Sequence, residues 1–114
     1  MSAQFEPAPA EPIHLDDAAE YADLTAQYAV VLVDFYADWC GPCQMMEPTL
    51  EAIAEDTDAA VLKVDVDQFQ ALASDHDVQG IPTLLVYADG EQTERLVGAQ
   101  TGEALETSVN EYLA

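Results

Sequence analysis

Residues 30–43 read VVLVDFYADWCGPC and lead from a buried strand into the start of a helix. Residues 30–36 are β-branched, aromatic and almost continuously apolar, which is typical of a strand covered on both faces within a parallel sheet. Pro42 suits the first turn of a helix. Apolar residues then recur at helical spacing, at Cys43, Met46, Leu50, Ile53 and Ala54. The stretch therefore predicts the central strand of an α/β sheet and a following helix that is kinked at Pro48.

The remaining sequence predicts further strands and helices around this centre. Strands are predicted at residues 13–15, 61–66, 83–87 and 92–97, the last two joined by a hairpin turn at Asp89-Gly90. Helices are predicted after Asp16 or Asp17, over residues 68–76, and from Thr101 to Leu113. This order implies an α/β fold with a central mixed sheet of four to five strands, flanked by helices on both faces.

The chain of 114 residues fits one domain, and half of its residues are apolar, so it can form a single core. Residues 1–12 contain three prolines and no apolar period, and we expect them to be a flexible N-terminal extension. Residues 13–114 are expected to form the domain. No apolar stretch approaches the roughly 18 residues of a membrane span, and the first residues do not resemble a signal peptide, which predicts a cytoplasmic protein.

Acidic residues dominate the charge: 23 of them stand against Lys63 and Arg95, for a formal net charge of −21. Nucleic acids and anionic membranes are therefore not expected as partners. Self-repulsion on this scale weakens a compact state at ordinary ionic strength, whereas molar salt shortens the screening length to roughly 3 Å. The composition therefore predicts an acidic, halophilic protein from a salt-accumulating microbe.

Cys40 and Cys43 are the two cysteines of the chain, so no further pair exists to staple the fold. Cys40 precedes the helix, whose N-terminus stabilises a thiolate, and is expected to be exposed and to act as the nucleophile. Cys43 lies on the apolar side of the first turn and is expected to be the shielded, resolving cysteine. The alternative is half of a zinc site, which needs two more ligands. His14 and His76 are far apart in sequence and are expected to be surface residues, so no metal site is predicted.

Asp34 interrupts the central strand, where an ionised carboxylate costs several kcal/mol and its pKa is driven upward. It lies six positions before Cys40, and could exchange a proton with Cys43 directly or through water. A hydrogen-bonded structural aspartate is the alternative. Lys63 alternates onto one side of the strand at residues 61–66 and approaches Asp34 if the two strands are neighbours. The alternative for Lys63 is a strand-end lysine that keeps its ammonium in water.

Pro82 stands at the entrance to a predicted strand, and the sequence pattern leaves its peptide isomer open. Four separated segments resemble the thioredoxin family in order and spacing: Val33-Asp34-Phe35, Trp39-Cys40-Gly41-Pro42-Cys43, Gly80-Ile81-Pro82-Thr83 and Val97-Gly98-Ala99. The resemblance covers residues 13–114. It implies the thioredoxin fold, a cis Pro82 beside the cysteines, and Asp34 as the buried acid–base group with Lys63 near it. The chain departs from the family at Gln44, where a lysine is frequent.

The resemblance also implies a flat apolar surface on which target proteins dock. The implied substrate-binding residues are Trp39, Gly41, Pro42, Val66, Ile81, Pro82, Val97, Gly98 and Ala99. Taken alone, Trp39 could instead fill the core, since buried tryptophan is common.

The activity that the resemblance implies is the reduction of protein disulfides by thiol–disulfide exchange. Cys40 attacks the target disulfide, and Cys43, deprotonated with help from Asp34, releases the reduced target. No cofactor is expected beyond the Cys40–Cys43 disulfide. Because the chain has no dinucleotide-binding fingerprint, a thioredoxin reductase is the implied electron donor. The other partners are disulfide-containing proteins, and the chain is expected to be a monomer.

Two alternative functions stay open on the sequence. A disulfide oxidase or isomerase is disfavoured by Gly41-Pro42 between the cysteines, since strongly oxidising relatives commonly carry histidine there. A binding module without turnover is disfavoured by the intact cysteine pair.

Overall fold

Five strands form one mixed sheet in the computed structural model, which describes residues 5–113. The strands are β1 (Ile13–His14), β2 (Val30–Tyr36), β3 (Ala60–Asp65), β4 (Thr83–Ala88) and β5 (Glu91–Val97). Their spatial order is β1-β3-β2-β4-β5. The pairs β1–β3 and β2–β3 are parallel, whereas β2–β4 and β4–β5 are antiparallel. The predicted mixed sheet with β2 at its centre is confirmed.

Helices cover this sheet. They are α1 (Tyr21–Gln27), α2 (Gly41–Met45), α3 (Glu47–Asp56), α4 (Gln70–Asp75) and α5 (Gly102–Asn110), and a 3₁₀ turn at Ala18–Glu20 precedes α1. Asp17 begins that turn by accepting a hydrogen bond from the Ala19 N–H at 2.9 Å. All the predicted helices are present, although α4 and α5 are shorter than predicted. No helix within residues 5–113 is long and apolar enough to cross a bilayer.

The core lies on both faces of β2. On one face, Phe35 packs in a cluster with Tyr21 of α1. On the other face, Leu32 packs in a cluster with Leu50 of α3 and Leu105 of α5. Burying each side chain of this size contributes about 1.5–3 kcal/mol. This two-sided cover is why β2 is almost continuously apolar in sequence.

The predicted helix after the cysteines is divided rather than kinked. The segment α2 ends at Met45, α3 begins at Glu47, and Met46 lies between them. Pro48 therefore falls in the first turn of α3, where its missing N–H leaves no hydrogen bond unmade. The break precedes the proline because the ring of Pro48 would clash with the carbonyl one turn earlier in a continuous helix.

Residues 5–12 lead into β1 without forming a helix or a strand. The backbone N–H of Glu6 donates to the carbonyl oxygen of Gln27 at 2.9 Å, and Ala8 packs against the core face that holds Phe35. This segment therefore contacts the domain at two points. The flexibility expected of the N-terminal extension stays a prediction, and residues 1–4 lie outside the described residues.

Candidate active site

The Cys40–Cys43 disulfide lies at the point where β2 gives way to α2. Cys40 occupies the position before the first helical residue, Cys43 lies in the first turn, and their Cα atoms are 5.2 Å apart. The N–H of Cys43 donates to Sγ of Cys40 at 3.2 Å. A backbone N–H aimed at this sulfur from a helix start stabilises the Cys40 thiolate once the disulfide is reduced.

Both cysteines are buried in this oxidised state: Cys40 is 5% exposed and Cys43 is 2% exposed. The expectation of an exposed Cys40 is therefore wrong for the disulfide form. The physical reason is the distant segment at Ile81, which packs against the pair and places its carbonyl oxygen 3.9 Å from Sγ of Cys40. The two cysteines thus differ in helix position and hydrogen bonding rather than in exposure.

The loop before β4 lies against the cysteines. Its Ile81–Pro82 peptide bond is cis, which resolves the isomer that the sequence pattern leaves open and agrees with the family resemblance. The N–H of Gly98 donates to the carbonyl oxygen of Pro82 at 2.8 Å. Gly98 has a φ of 90°, a left-handed conformation that glycine adopts readily. This contact joins Gly98 to the loop whose Ile81 packs against the disulfide.

The predicted docking residues differ in exposure. Trp39 is 70% exposed, so the alternative of a core-filling tryptophan is wrong. Its indole Nε1–H donates to Oδ2 of Asp67 at 2.8 Å, which orients the ring at the surface. Gly41, Pro42, Val97 and Ala99 are also exposed, Val66, Ile81 and Gly98 are half-buried, and Pro82 is buried.

The sequence reasoning missed two exposed residues near the predicted docking residues: Met45, two positions after Cys43, and Asp67, the hydrogen-bond partner of Trp39. Met45 lies at the end of α2 and is 80% exposed. Met45 follows the buried Cys43 by two residues, which is about 200° around a helix. This spacing indicates that Met45 faces away from the core, and it could have been read from the sequence. Asp67 had no local signal, because its contact with Trp39 joins residues far apart in the chain.

Asp34 lies inside the sheet, paired in register with Lys63 of β3 and Leu84 of β4. It is 1% exposed, and neither carboxylate oxygen accepts a hydrogen bond from the described part of the chain. The described residues therefore give no support to the alternative of a hydrogen-bonded structural aspartate. Burial raises the pKa of Asp34 to about 7, although the Lys63 ammonium opposes this rise and Glu47 adds to it. Asp34 is thus poised to give or accept a proton near neutral pH.

Lys63 approaches Asp34 as the strand alternation predicts, with Nζ 4.0 Å from Oδ2. It lies within β3 and is only 6% exposed, so the alternative of a strand-end lysine in water is wrong. Its Nζ also lies 3.5 Å from Oε2 of Glu47 and 4.2 Å from the centre of the Tyr36 ring. Glu47 was not predicted as a site residue, because its approach to Lys63 depends on how α3 sits over the sheet.

The two histidines have different surroundings. His14 is exposed, as expected. His76 is half-buried, with its ring centre 4.8 Å from that of Tyr21 and 5.9 Å from that of Phe35, so the expectation of an ordinary surface residue is wrong for His76. Burial lowers the pKa of His76. Within residues 5–113, no group of three or more potential ligands from His, Cys, Asp and Glu is arranged to hold a metal ion.

Comparison with known proteins identifies the family. The family model described as Thioredoxin matches residues 12–111. The chain belongs to the thioredoxin family. The thioredoxin of Staphylococcus haemolyticus is 45% identical over 93 residues, which cover 80% of this chain and 89% of the relative.

Solved thioredoxin structures share the fold. A mutant thioredoxin from Halobacterium salinarum NRC-1 is 52% identical, with a TM-score of 0.91 and 96% of each chain covered. The oxidised thioredoxin from Plasmodium falciparum is 30% identical, with a TM-score of 0.80, and the match covers 91% of this chain and 100% of that one. The predicted thioredoxin fold is therefore confirmed.

Family membership also establishes the activity. The chain is a thiol–disulfide oxidoreductase that reduces protein disulfides by dithiol–disulfide exchange through Cys40 and Cys43. Thioredoxins act on disulfide-containing proteins and are themselves reduced by a thioredoxin reductase. The family uses its own disulfide in place of a separate cofactor. This assignment replaces the two alternative functions, a disulfide oxidase or isomerase and a binding module without turnover.

Proposed function

We propose that Cys40 is the nucleophile of this reductase and that Cys43 is the resolving cysteine. The Cys40 thiolate attacks one sulfur of the target disulfide, the other target sulfur leaves as a thiolate, and a mixed disulfide forms. The Cys43 thiolate then attacks Sγ of Cys40, and the second target sulfur leaves. The target has gained two electrons, and the Cys40–Cys43 disulfide has re-formed. The hydrogen bond from the Cys43 N–H to Sγ of Cys40 supports this order, because it stabilises a thiolate at Cys40 in particular.

Asp34 serves as the base for Cys43 in this proposal. Alternation along β2 puts Asp34 on the same face as Leu32, which is the face that α3 covers. Its pKa of about 7 matches the requirement that a general base be poised near the working pH. The Asp34 carboxylate takes the Cys43 proton, directly or through a water molecule, as the mixed disulfide is resolved. Lys63 stabilises that carboxylate from 4.0 Å.

Targets bind at an apolar surface around the disulfide, which we call the docking surface. It comprises Trp39, Gly41, Pro42, Met45, Val66, Ile81, Pro82, Val97, Gly98 and Ala99. Three large apolar side chains, those of Trp39, Met45 and Val97, are mostly exposed. Covering such side chains with a partner releases water and favours association.

The cellular setting belongs to the same proposal: a monomer in the cytoplasm of a salt-accumulating microbe. The net charge of −21 opposes self-association, and it also opposes binding to nucleic acids and anionic membranes. A disulfide reductase needs a supply of electrons, which fits a reducing compartment such as the cytoplasm. The 52% identical thioredoxin from Halobacterium salinarum supports the assignment to a salt-adapted protein.

Trapping of the mixed disulfide tests the roles of the two cysteines. We expect the reduced Cys43→Ser variant to accumulate a covalent adduct with a disulfide-containing test protein, because no resolving thiol releases it. The matched Cys40→Ser variant should form little adduct. Non-reducing electrophoresis and intact mass measure both, in molar KCl. Equal trapping by the two variants, or trapping by Cys40→Ser alone, contradicts the division of roles.

A further inference from the structure

Lys63 lies between two carboxylates of very different exposure. Its Nζ is 4.0 Å from Oδ2 of Asp34, which is 1% exposed, and 3.5 Å from Oε2 of Glu47, whose side chain is 49% exposed. The ammonium is thus nearer to the carboxylate that faces solvent than to the buried one. The Tyr36 ring, centred 4.2 Å from Nζ, covers a further side of the ammonium. The Lys63 ammonium therefore interacts with two carboxylates, and how strongly it stabilises the Asp34 carboxylate depends on Glu47.

Glu47 occupies this place because of the break between α2 and α3. It is the first residue of α3 and directly precedes Pro48. A carboxylate in the first turn of a helix is favoured by the helix dipole, so the position suits a charged Glu47. Cys43 lies in α2, four residues before Glu47. The break therefore places a solvent-facing carboxylate within reach of the buried charge pair.

We propose that Glu47 is a positioning residue of the reductase, which binds the Lys63 ammonium from the solvent side and limits the stabilisation that Lys63 gives to the Asp34 carboxylate. This inference rests on the proposed role of Asp34 as the base for Cys43. The negative charge of Glu47 raises the pKa of Asp34, in addition to the larger effect of burial. Asp34 is consequently able to release and accept a proton near neutral pH instead of remaining an ion pair with Lys63.

Other titratable groups line a cavity of about 320 Å³ beside the charge pair. They are Glu11 before β1, His14 in β1, Tyr36 in β2, Asp38 after β2 and Glu51 one turn further along α3. Among the described residues, the ion pairs of Lys63 are those with Asp34 and Glu47. Glu51 is therefore a matched control for Glu47, because it carries the same charge on the same helix and lines the same cavity without pairing with the ammonium.

The test compares the Glu47→Gln and Glu51→Gln variants of the full chain. The probe is the pH titration of the Asp34 carboxyl carbon, followed by carbon-13 NMR and assigned by the signal lost in Asp34→Asn. In Glu47→Gln we expect the Asp34 midpoint to fall by about half a pH unit or more, because Lys63 then stabilises the Asp34 carboxylate alone. In Glu51→Gln the midpoint should fall by clearly less.

An Asp34 midpoint that stays constant or rises in Glu47→Gln overturns the inference. An equal fall of the Asp34 midpoint in Glu51→Gln also overturns it, because removing any nearby negative charge would then have the same effect as removing the one paired with Lys63. The pH profile of disulfide reduction separates this outcome from a failure of the proposed function. If the Asp34 midpoint falls as expected while the activity profile does not move, the shared ammonium is supported and the role of Asp34 as base is wrong.

Discussion

Among single residues, Asp34 couples the stability of the fold to pH. Burial raises its pKa to about 7 in the folded protein, against about 3.9 for an unfolded aspartate. Below about pH 4 Asp34 is protonated in both states, so its ionisation does not change the free energy of unfolding. Between about pH 4 and pH 7 the unfolded chain loses the proton first, which progressively destabilises the folded state. Above about pH 7 Asp34 is ionised in both states, and the loss in the free energy of unfolding stays constant.

The Asp34→Asn variant removes this titration. We expect its free energy of unfolding, relative to that of the parent, to increase from about pH 4 to about pH 7 and then to stay level. The full increase should be on the order of 4 kcal/mol, the equivalent of about three pKa units. Urea unfolding at stepped pH measures it. Asp38→Asn, at an exposed site just beyond β2, is the control and should show a nearly constant difference; a flat curve for Asp34→Asn contradicts the prediction.

Sequence reasoning located Asp34 and Lys63 because strand alternation and burial are local properties. The period of two puts Lys63 on one face of its strand, and adjacency to β2 then brings it to Asp34. The contact of Glu47 with Lys63 and the burial of Cys40 could not be predicted from the sequence, because each depends on packing against a segment that is distant in the chain. Glu47 meets Lys63 across the packing of α3 on the sheet, and Cys40 is covered by Ile81 from the loop before β4.

For the helices and strands, the sequence identified the elements better than their ends. The run at residues 30–36 was predicted with its observed bounds, since apolar β-branched residues mark its whole length. The helix after the cysteines was predicted as a single kinked helix and is instead divided at Met46. The sequence shows that Pro48 interrupts the helix, but a proline produces a kink in some helices and a complete break in others, and the pattern alone does not distinguish the two.

The segment before β1 gives a prediction at the scale of one element. A variant that lacks residues 1–9 loses the hydrogen bond between Glu6 and Gln27 and the packing of Ala8. We expect its free energy of unfolding to fall by about 1–2 kcal/mol, the sum of one backbone hydrogen bond and one small apolar contact. Disulfide reduction should not change, because Glu11 and Pro12, which line the cavity beside Lys63, are retained.

Chemical denaturation and a disulfide reduction assay on the same preparation check both parts. A variant that lacks only residues 1–4 is the control, since it keeps Glu6 and Ala8. If removal of residues 1–9 leaves the free energy of unfolding unchanged, the contacts of this segment contribute nothing and it behaves as the flexible extension that its composition predicts.

At the scale of the whole molecule, the acidic charge is spread over the surface while the Asp34–Lys63 charge pair is buried. Of the two basic residues, Lys63 is buried with Asp34, and Arg95 donates to the carbonyl oxygen of His76. Along α3, Glu47, Glu51 and Glu55 follow at four-residue spacing, and like charges at this spacing are destabilising. Burial of the apolar core must therefore offset the electrostatic repulsion between surface carboxylates. Salt screens this repulsion, whereas it has little effect on the buried pair.

Raising KCl from about 0.1 M to molar concentration shortens the screening length from roughly 10 Å to roughly 3 Å, so most repulsion between exposed carboxylates is lost. We therefore expect the melting temperature to rise by several degrees or more, since each kcal/mol gained adds about 4–8 °C in a domain of this size. A variant with Glu51, Glu55, Glu91 and Glu106 changed to glutamine is the control. It should melt higher than the parent at low salt and respond less to KCl, because part of the repulsion is already gone. A parent melting temperature that does not rise with KCl contradicts the halophilic assignment and leaves the disulfide chemistry, which depends on Cys40, Cys43 and the buried pair, unaffected.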